Sequence, residues 1–168
     1  DIDKYILPVL HSGYVGDGPK VKEFEKEFGK FICNEKVVMV NSGTSAIVMA
    51  LRLAGVGQGD HVITTPMTCL ATNMAILSIG AIPVWADILE DGTLDPEDVR
   101  GKMTKSIKAI MCMDWGGIPC KLDELRQFGV PLIEDACQAL GSIYKGKPTG
   151  SSADFVCFSF QAIKHLTT

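Results

Sequence analysis

Pro131-Leu132-Ile133-Glu134-Asp135-Ala136-Cys137-Gln138 runs from an apolar stretch into two acids and then into small residues. The apolar positions are continuous rather than alternating, as in a strand covered on both faces. An acid at the end of such a strand is costly unless it is paired or solvated. The stretch therefore reads as a buried strand whose carboxyl end opens on a polar site. Residues 37–40, 62–64, 82–85, 109–113 and 155–158 repeat the apolar pattern. Segments 45–54, 71–79, 96–102 and 122–128 lie between them and are long enough for crossover helices. Repeated βα units predict an α/β fold of three layers, α/β/α, with a mostly parallel sheet. Ligands of such sheets bind beyond the carboxyl ends of the strands, so the residues after each run are the informative ones.

Three of these positions carry chemistry. After residues 37–40 comes Asn41-Ser42-Gly43-Thr44-Ser45, a small Gly-containing turn leading into a helix. Backbone N–H groups can approach an anion there, and the helix N-terminus adds its positive dipole end. The hydroxyls of Ser42, Thr44 and Ser45 add donors, although a simple N-cap would use the same residues. Asp135, at the end of 131–133, suits a protonated pyridine nitrogen, with helix capping as the plain alternative. Lys164 follows residues 155–158 closely enough to reach back into the same crevice, whereas an isolated lysine is ordinarily a solvated surface group. An anion cradle, a carboxylate and an amine at the ends of different runs meet the three needs of pyridoxal phosphate (PLP): phosphate, ring nitrogen and aldehyde. No Walker loop and no G-x-G-x-x-G is present.

Segments 41–45, 134–138 and 158–164 resemble the DegT/DnrJ/EryC1/StrS family of PLP-dependent sugar aminotransferases. Val15-Gly16-Asp17-Gly18, Pro66-Met67-Thr68, Ala71-Thr72 and Gly80-Ala81-Ile82-Pro83-Val84 with Asp87 are similar as well. The resemblance implies a fold-type-I, aspartate aminotransferase-like large domain. Residues 1–30 would be an N-terminal arm and helix, and residues 31–168 the first part of the PLP-binding domain. It implies that Lys164 holds PLP as a Schiff base and serves as base and acid of the 1,3-proton shift. Asp135 would pair with the pyridine nitrogen, Gln138 would contact the ring 3-hydroxyl, and Gly43, Thr44 and Ser159 would bind the phosphate, with Ser45 beside them. Cys69 stands where the family places an aromatic residue over the ring, and Gln161 where many members have His. The implied reaction moves an amino group from an amino acid, glutamate being the expected donor, to a keto group of a nucleotide-linked sugar. Such sugars serve polysaccharide, lipopolysaccharide or antibiotic biosynthesis. The resemblance further implies a homodimer that shares its active site, and more chain beyond Thr168, including a small C-terminal domain. Another fold-type-I PLP enzyme, or a non-catalytic PLP-fold regulatory or binding protein, is the alternative. Sugar dehydratases of the family replace the lysine by histidine, and Lys164 speaks against that chemistry.

Composition agrees with this class. Of 168 residues, 46% are hydrophobic and 21% charged, ordinary globular usage. A net charge of -4 disfavours nucleic-acid binding, which needs clustered Lys and Arg. No apolar stretch approaches the roughly 20 residues of a membrane span, and Asp1-Ile2-Asp3-Lys4 does not read as a signal peptide. Six cysteines without a C-x-x-C pair read as reduced, buried thiols of a cytoplasmic protein, and three scattered histidines give no metal-ligand spacing. Asp17-Gly18-Pro19 predicts a helix start with Asp17 as N-cap, followed by a packed face of Val21, Phe24, Phe28 and Phe31.

Overall fold

The computed structural model describes residues 2–167; Asp1, where the segment read for a leader begins, and Thr168 lie outside them. The described chain divides into a unit ending at Met39 and a second beginning at Val40.

The first unit holds α1 (Asp3–Ser12) and α2 (Pro19–Phe31). Pro19 opens α2 as expected, but the N-cap is Gly18 and no side chain caps the helix. Asp17 turns instead toward Lys22, 4.0 Å away. Along α2, Phe24 and Phe28 stack with centroids 5.6 Å apart and Phe28 and Phe31 at 6.3 Å. Only Phe28 of the expected face is fully buried, and Phe31 is exposed. Residues 37–40 form no strand. The Met39 N–H, which a ladder would use, donates to the Glu25 carboxylate at 2.9 Å.

The second unit contains α3 (Gly43–Leu53), β1 (His61–Thr64), α4 (Leu70–Ser78), β2 (Ile82–Trp85), α5 (Pro96–Lys102), β3 (Ile107–Met113), a 3₁₀ turn (Trp115–Gly117), α6 (Leu122–Arg126), β4 (Leu132–Asp135), β5 (Ile143–Tyr144), β6 (Lys147–Pro148) and β7 (Phe155–Cys157). The five long strands form one sheet in the order β2-β1-β3-β4-β7, parallel throughout. The chain moves one way from β1 to β2 and the other way from β2 through β3 to β4. With crossovers of one hand, that reversal sends α4 to one face and α5 and α6 to the other.

Successive strand residues confirm the two layers. Val62, Met111 and Ile133 pack with Ile47, Leu51, Ala75 and Ile76 of α3 and α4. Their neighbours Ile63, Ile110 and Leu132 pack with Val99, Leu122 and Leu125 of α5 and α6. The three-layer α/β/α reading holds, because strands buried on both faces alternate between two apolar clusters. The edge strand β2 departs from it: Ile82 and Trp85 are exposed, since β2 has one strand neighbour. The β5–β6 hairpin was not expected; its turn places Lys145 (φ 48°) and Gly146 (φ 81°) in the left-handed region. That is the geometry a two-residue hairpin turn requires.

The expectation of buried thiols also changes at two positions. Cys112, Cys120 and Cys157 are buried and all six cysteines are free, but Cys33 and Cys69 are exposed. Cys33 lies at a left-handed position after α2 (φ 54°) and Cys69 at the N-cap of α4, both outside the apolar layers.

Leu132 is 0% exposed between β3 and the α5–α6 layer. Leu132→Ala in the full-length protein should cost about 2–5 kcal/mol, through lost transfer energy and the cavity left behind. Urea unfolding measures this, and a loss near zero would contradict a dry, two-faced core.

Candidate active site

Asp135 ends β4 and is 2% exposed. Both carboxylate oxygens have donors: Oδ1 accepts from the Cys137 N–H at 3.1 Å and Oδ2 from the Thr72 hydroxyl at 2.7 Å. Thr72 receives a hydrogen bond from the Thr68 hydroxyl at 2.8 Å, so the Thr72 proton is free to point at Asp135. The bond from Cys137 closes a local Asx turn, and no helix follows Asp135 directly. Helix capping is therefore not the role of this acid. Thr72 was quoted only as part of a motif, yet it lies in the first turn of α4, just past β1, where the strand-end rule points.

The turn before α3 partly fits the plain N-cap reading. The Ser42 hydroxyl accepts from the Ser45 N–H at 3.1 Å and lies 3.0 Å from the Ser45 hydroxyl. The Ser42 hydroxyl is thereby spent on Ser45, whose own hydroxyl accepts from it and keeps a proton to donate. The Gly43 and Thr44 N–H groups, the first two of the helix, are left for an external acceptor. A Cβ at Gly43 would stand 3.2 Å from Cys137 Sγ and 3.2 Å from Ser159 Cβ. Glycine is what lets the α3 N-terminus, the turn after β4 and the loop after β7 come together.

Lys164 lies in a turn past β7, where its N–H donates to the Gln161 carbonyl at 2.8 Å. With Cys137, Gln138, Ile163 and His165 it lines an open cavity of about 380 Å³. The Gln138 Oε1 accepts from the Gly116 N–H at 2.9 Å, which leaves its amide N–H₂ as the group available to donate. Burial first, then the Asp135 carboxylate, push the Cys137 thiol well up, while Lys164 pulls it down. Cys137 is thus a neutral thiol placed between an acid and an amine.

The structure gathers Gly43, Cys137 and Ser159 at one point, and Lys164 with Cys137 and Gln138 at another. It joins Asp135 to Thr72. Thr44 and Ser45 occupy the first turn of α3. Cys69 is exposed at the N-cap of α4, one turn before Thr72, and does not line the cavity.

A buried acid pair lies behind the site. Glu134 and Asp114 are both 0% exposed. Asp114 Oδ1 accepts from the Cys120 N–H at 3.0 Å, while Asp114 Oδ2 and both Glu134 oxygens meet no donor group. Burial, with the Asp114 charge second, raises Glu134 to about 9. Reading 134 only as part of a motif overlooked this pair; the signal was an acid one residue inside a buried strand.

The chain has relatives along nearly its whole length. The DegT/DnrJ/EryC1/StrS aminotransferase family matches residues 1–168. The spore coat polysaccharide biosynthesis protein SpsC of Bacillus subtilis is 39% identical over 168 residues, covering 97% of this chain and 43% of SpsC. The sugar aminotransferase CalS13 of Micromonospora echinospora superimposes with a TM-score of 0.94 at 35% identity, over 99% of this chain and 48% of that one. Spr1654 of Streptococcus pneumoniae, in its PLP form, gives 0.92 at 35% identity, over 96% of this chain and 46% of that one. The chain spans less than half the length of these relatives. By sequence and by the fold that carries its site, it belongs to the DegT/DnrJ/EryC1/StrS aminotransferase family.

Proposed function

We propose that the full-length protein is a PLP-dependent aminotransferase that moves an amino group from an amino acid, glutamate, to a keto group of a nucleotide-linked sugar. The observation that carries the proposal is the shared neighbourhood of Cys137, which borders Gly43, Ser159 and Asp135 and lines one cavity with Lys164 and Gln138. These residues fit the cofactor: open N–H groups and a hydroxyl for a phosphate, a held carboxylate for a ring nitrogen, an amide donor for a ring oxygen and an amine for an aldehyde. When bound, PLP would supply the electron sink that stabilises a carbanion at the amino-bearing carbon.

This chain's own residues would do the rest. Gly43, Thr44 and Ser159 bind phosphate, with the Ser45 hydroxyl beside them. Asp135, held by Thr72 and Cys137, keeps the ring nitrogen protonated. Gln138 donates to the ring 3-oxygen. The Lys164 Nζ would hold the cofactor and, as a free amine, would take up and return a proton as general base and then general acid. Cys69, at the N-cap of α4 and outside the lining of the Lys164 cavity, would cover the ring from the α4 side.

The sugar context follows the relatives, since SpsC is a polysaccharide biosynthesis protein and CalS13 a sugar aminotransferase. We assign residues 1–30 to an arm and helix and residues 31–168 to the start of the PLP-binding domain. Six free thiols suit a reducing cytoplasm. A homodimer is part of the proposal. Along α4 the exposed Leu70, Met74 and Leu77 form an apolar stripe opposite the buried Thr72, Ala75 and Ile76. A helix apolar on both sides calls for cover on both.

Lys164→Ala in the full-length protein should lose the visible absorbance of lysine-bound cofactor and at least about a thousand-fold in kcat, the scale of a removed proton-transfer group. Near wild-type turnover would sink the assignment. Gly43→Val should weaken PLP binding by more than tenfold with a smaller effect on the melting temperature, because its side chain would push against Cys137 and Ser159; unchanged PLP affinity would remove the phosphate cradle. Sedimentation at micromolar concentration should show a dimer that Leu70→Lys with Leu77→Lys dissociates, and a monomeric wild-type protein would refute it.

A further inference from the structure

Glu134 and Asp135 are neighbours on β4 and face opposite sides of the sheet. Asp135 faces α4, where Thr72 meets it; Glu134 faces the layer of Cys112 and Leu132. β3 runs beside β4 with Cys112 opposite Glu134 and Met113 opposite Asp135, so Asp114 is the next residue along. The Asp114 N–H donates to the Asp135 carbonyl at 3.1 Å, tying the two strand ends together.

Glu134 Oε1, Glu134 Oε2 and Asp114 Oδ2 are three buried oxygens with no donor among the described residues. Two ionised carboxylates could not remain so, because neither offers a proton to the other and both would be dry charges. One proton settles two of the three: it makes a donor of one acid and gives an oxygen of the other a partner, leaving the third as an uncharged carbonyl oxygen, which is far cheaper to bury than a carboxylate. Asp114 is the acceptor, since its Oδ1 already takes the Cys120 N–H. The ionisable groups acting here are Asp114 itself, Asp135 on β4, and the thiols of Cys112, Cys120 and Cys157. The Cys112 and Cys157 thiols are pushed up, Cys157 to about 12, and no cationic side chain contributes at Glu134 or Asp114.

We infer that Glu134 is a neutral carboxylic acid donating its proton to Oδ2 of Asp114, a positioning residue that clamps the strand end bearing Asp135 without adding charge beside it. This rests on the reading of Asp135 as the partner of the cofactor ring.

The test uses full-length protein, stripped of PLP and loaded with it. Infrared spectra should show a protonated carboxyl carbonyl band at pH 7.5 that disappears only as the pH passes about 9. Glu134→Gln should remove the band. Asp114→Asn, which deletes the opposing charge, should move its titration to lower pH. The folded acid keeps its proton to about 9 while the unfolded one releases it near 4.5, so wild-type stability falls as pH rises through that window. The melting temperature of Glu134→Gln should therefore fall less steeply than wild type between pH 5 and 9. Glu134→Ala strands the Asp114 carboxylate and should lower PLP affinity more than tenfold, whereas Glu134→Gln, whose amide still donates, should stay within about threefold of wild type. A wild-type protein without the band, or a band that survives Glu134→Gln, overturns the shared proton. Glu134→Ala with wild-type PLP affinity overturns the positioning role. The band and the melting curves are read without PLP, so a protein that binds no PLP sinks the cofactor reading and the positioning role while the shared proton is decided independently.

Discussion

A carboxylate can stay in a dry layer only where each of its oxygens meets a donor. At Asp135 that condition organises the surrounding chain. One donor is local, the Cys137 N–H, and requires the chain to turn immediately after β4. The other is the Thr72 hydroxyl, 63 residues earlier, and requires the first turn of α4 to lie over the end of β4. α4 can lie there because β1, which precedes it, is an interior strand separated from β4 only by β3, and the crossover to β2 covers that face. The turn after β4 also brings Cys137 against Gly43, which sets the start of α3. One buried charge thus couples two helices and two strands, and the same turn places Gln138 in the lining of the Lys164 cavity.

The sheet was readable because the apolar runs are continuous. Residues 82–85 and 96–102 were delimited to the residue, and the other runs inside the sheet to within two. The run at 37–40 looked the same but forms no strand, since a ladder needs a neighbour and Met39 instead gives its N–H to Glu25. Periodicity reports which residues avoid water, not which backbone is beside them. The β5–β6 hairpin escaped for the converse reason: its strands are two residues each and carry Lys147 and Pro148, too short for any pattern. Asp17 is not the cap because α2 begins at Pro19 itself, which makes Gly18 the N-cap and leaves Asp17 one residue outside.

At the site, the residue types and their places after the strands were legible, and their partners were not. Ser42 and Ser45 were both read as donors for an anion, yet Ser42 gives its proton to Ser45, and only the Ser45 hydroxyl keeps one to donate. Thr72 sits in an ordinary helical turn, and only the fold shows that its hydroxyl meets Asp135. Glu134 is hidden by its neighbour: two adjacent acids on a strand face opposite ways, and nothing local says which faces the ligand. Cys137 gave no signal as a site residue because its contribution is its position.

The order of these pieces along the chain has a consequence for synthesis. Gly43 is made first of the site residues, then Thr72, Asp135, Gln138 and Ser159, and Lys164 last. The 121 residues from Gly43 to Lys164 (164 − 43) occupy a ribosome for on the order of ten seconds at ordinary elongation rates. Throughout that interval the turn proposed to bind the phosphate would lack the amine. A phosphorylated aldehyde reaching the nascent chain then would meet only reversible contacts. On the proposed roles, covalent capture would wait until Lys164 and the strands before it have been translated, so the cofactor would bind late rather than guide the assembly of this sheet.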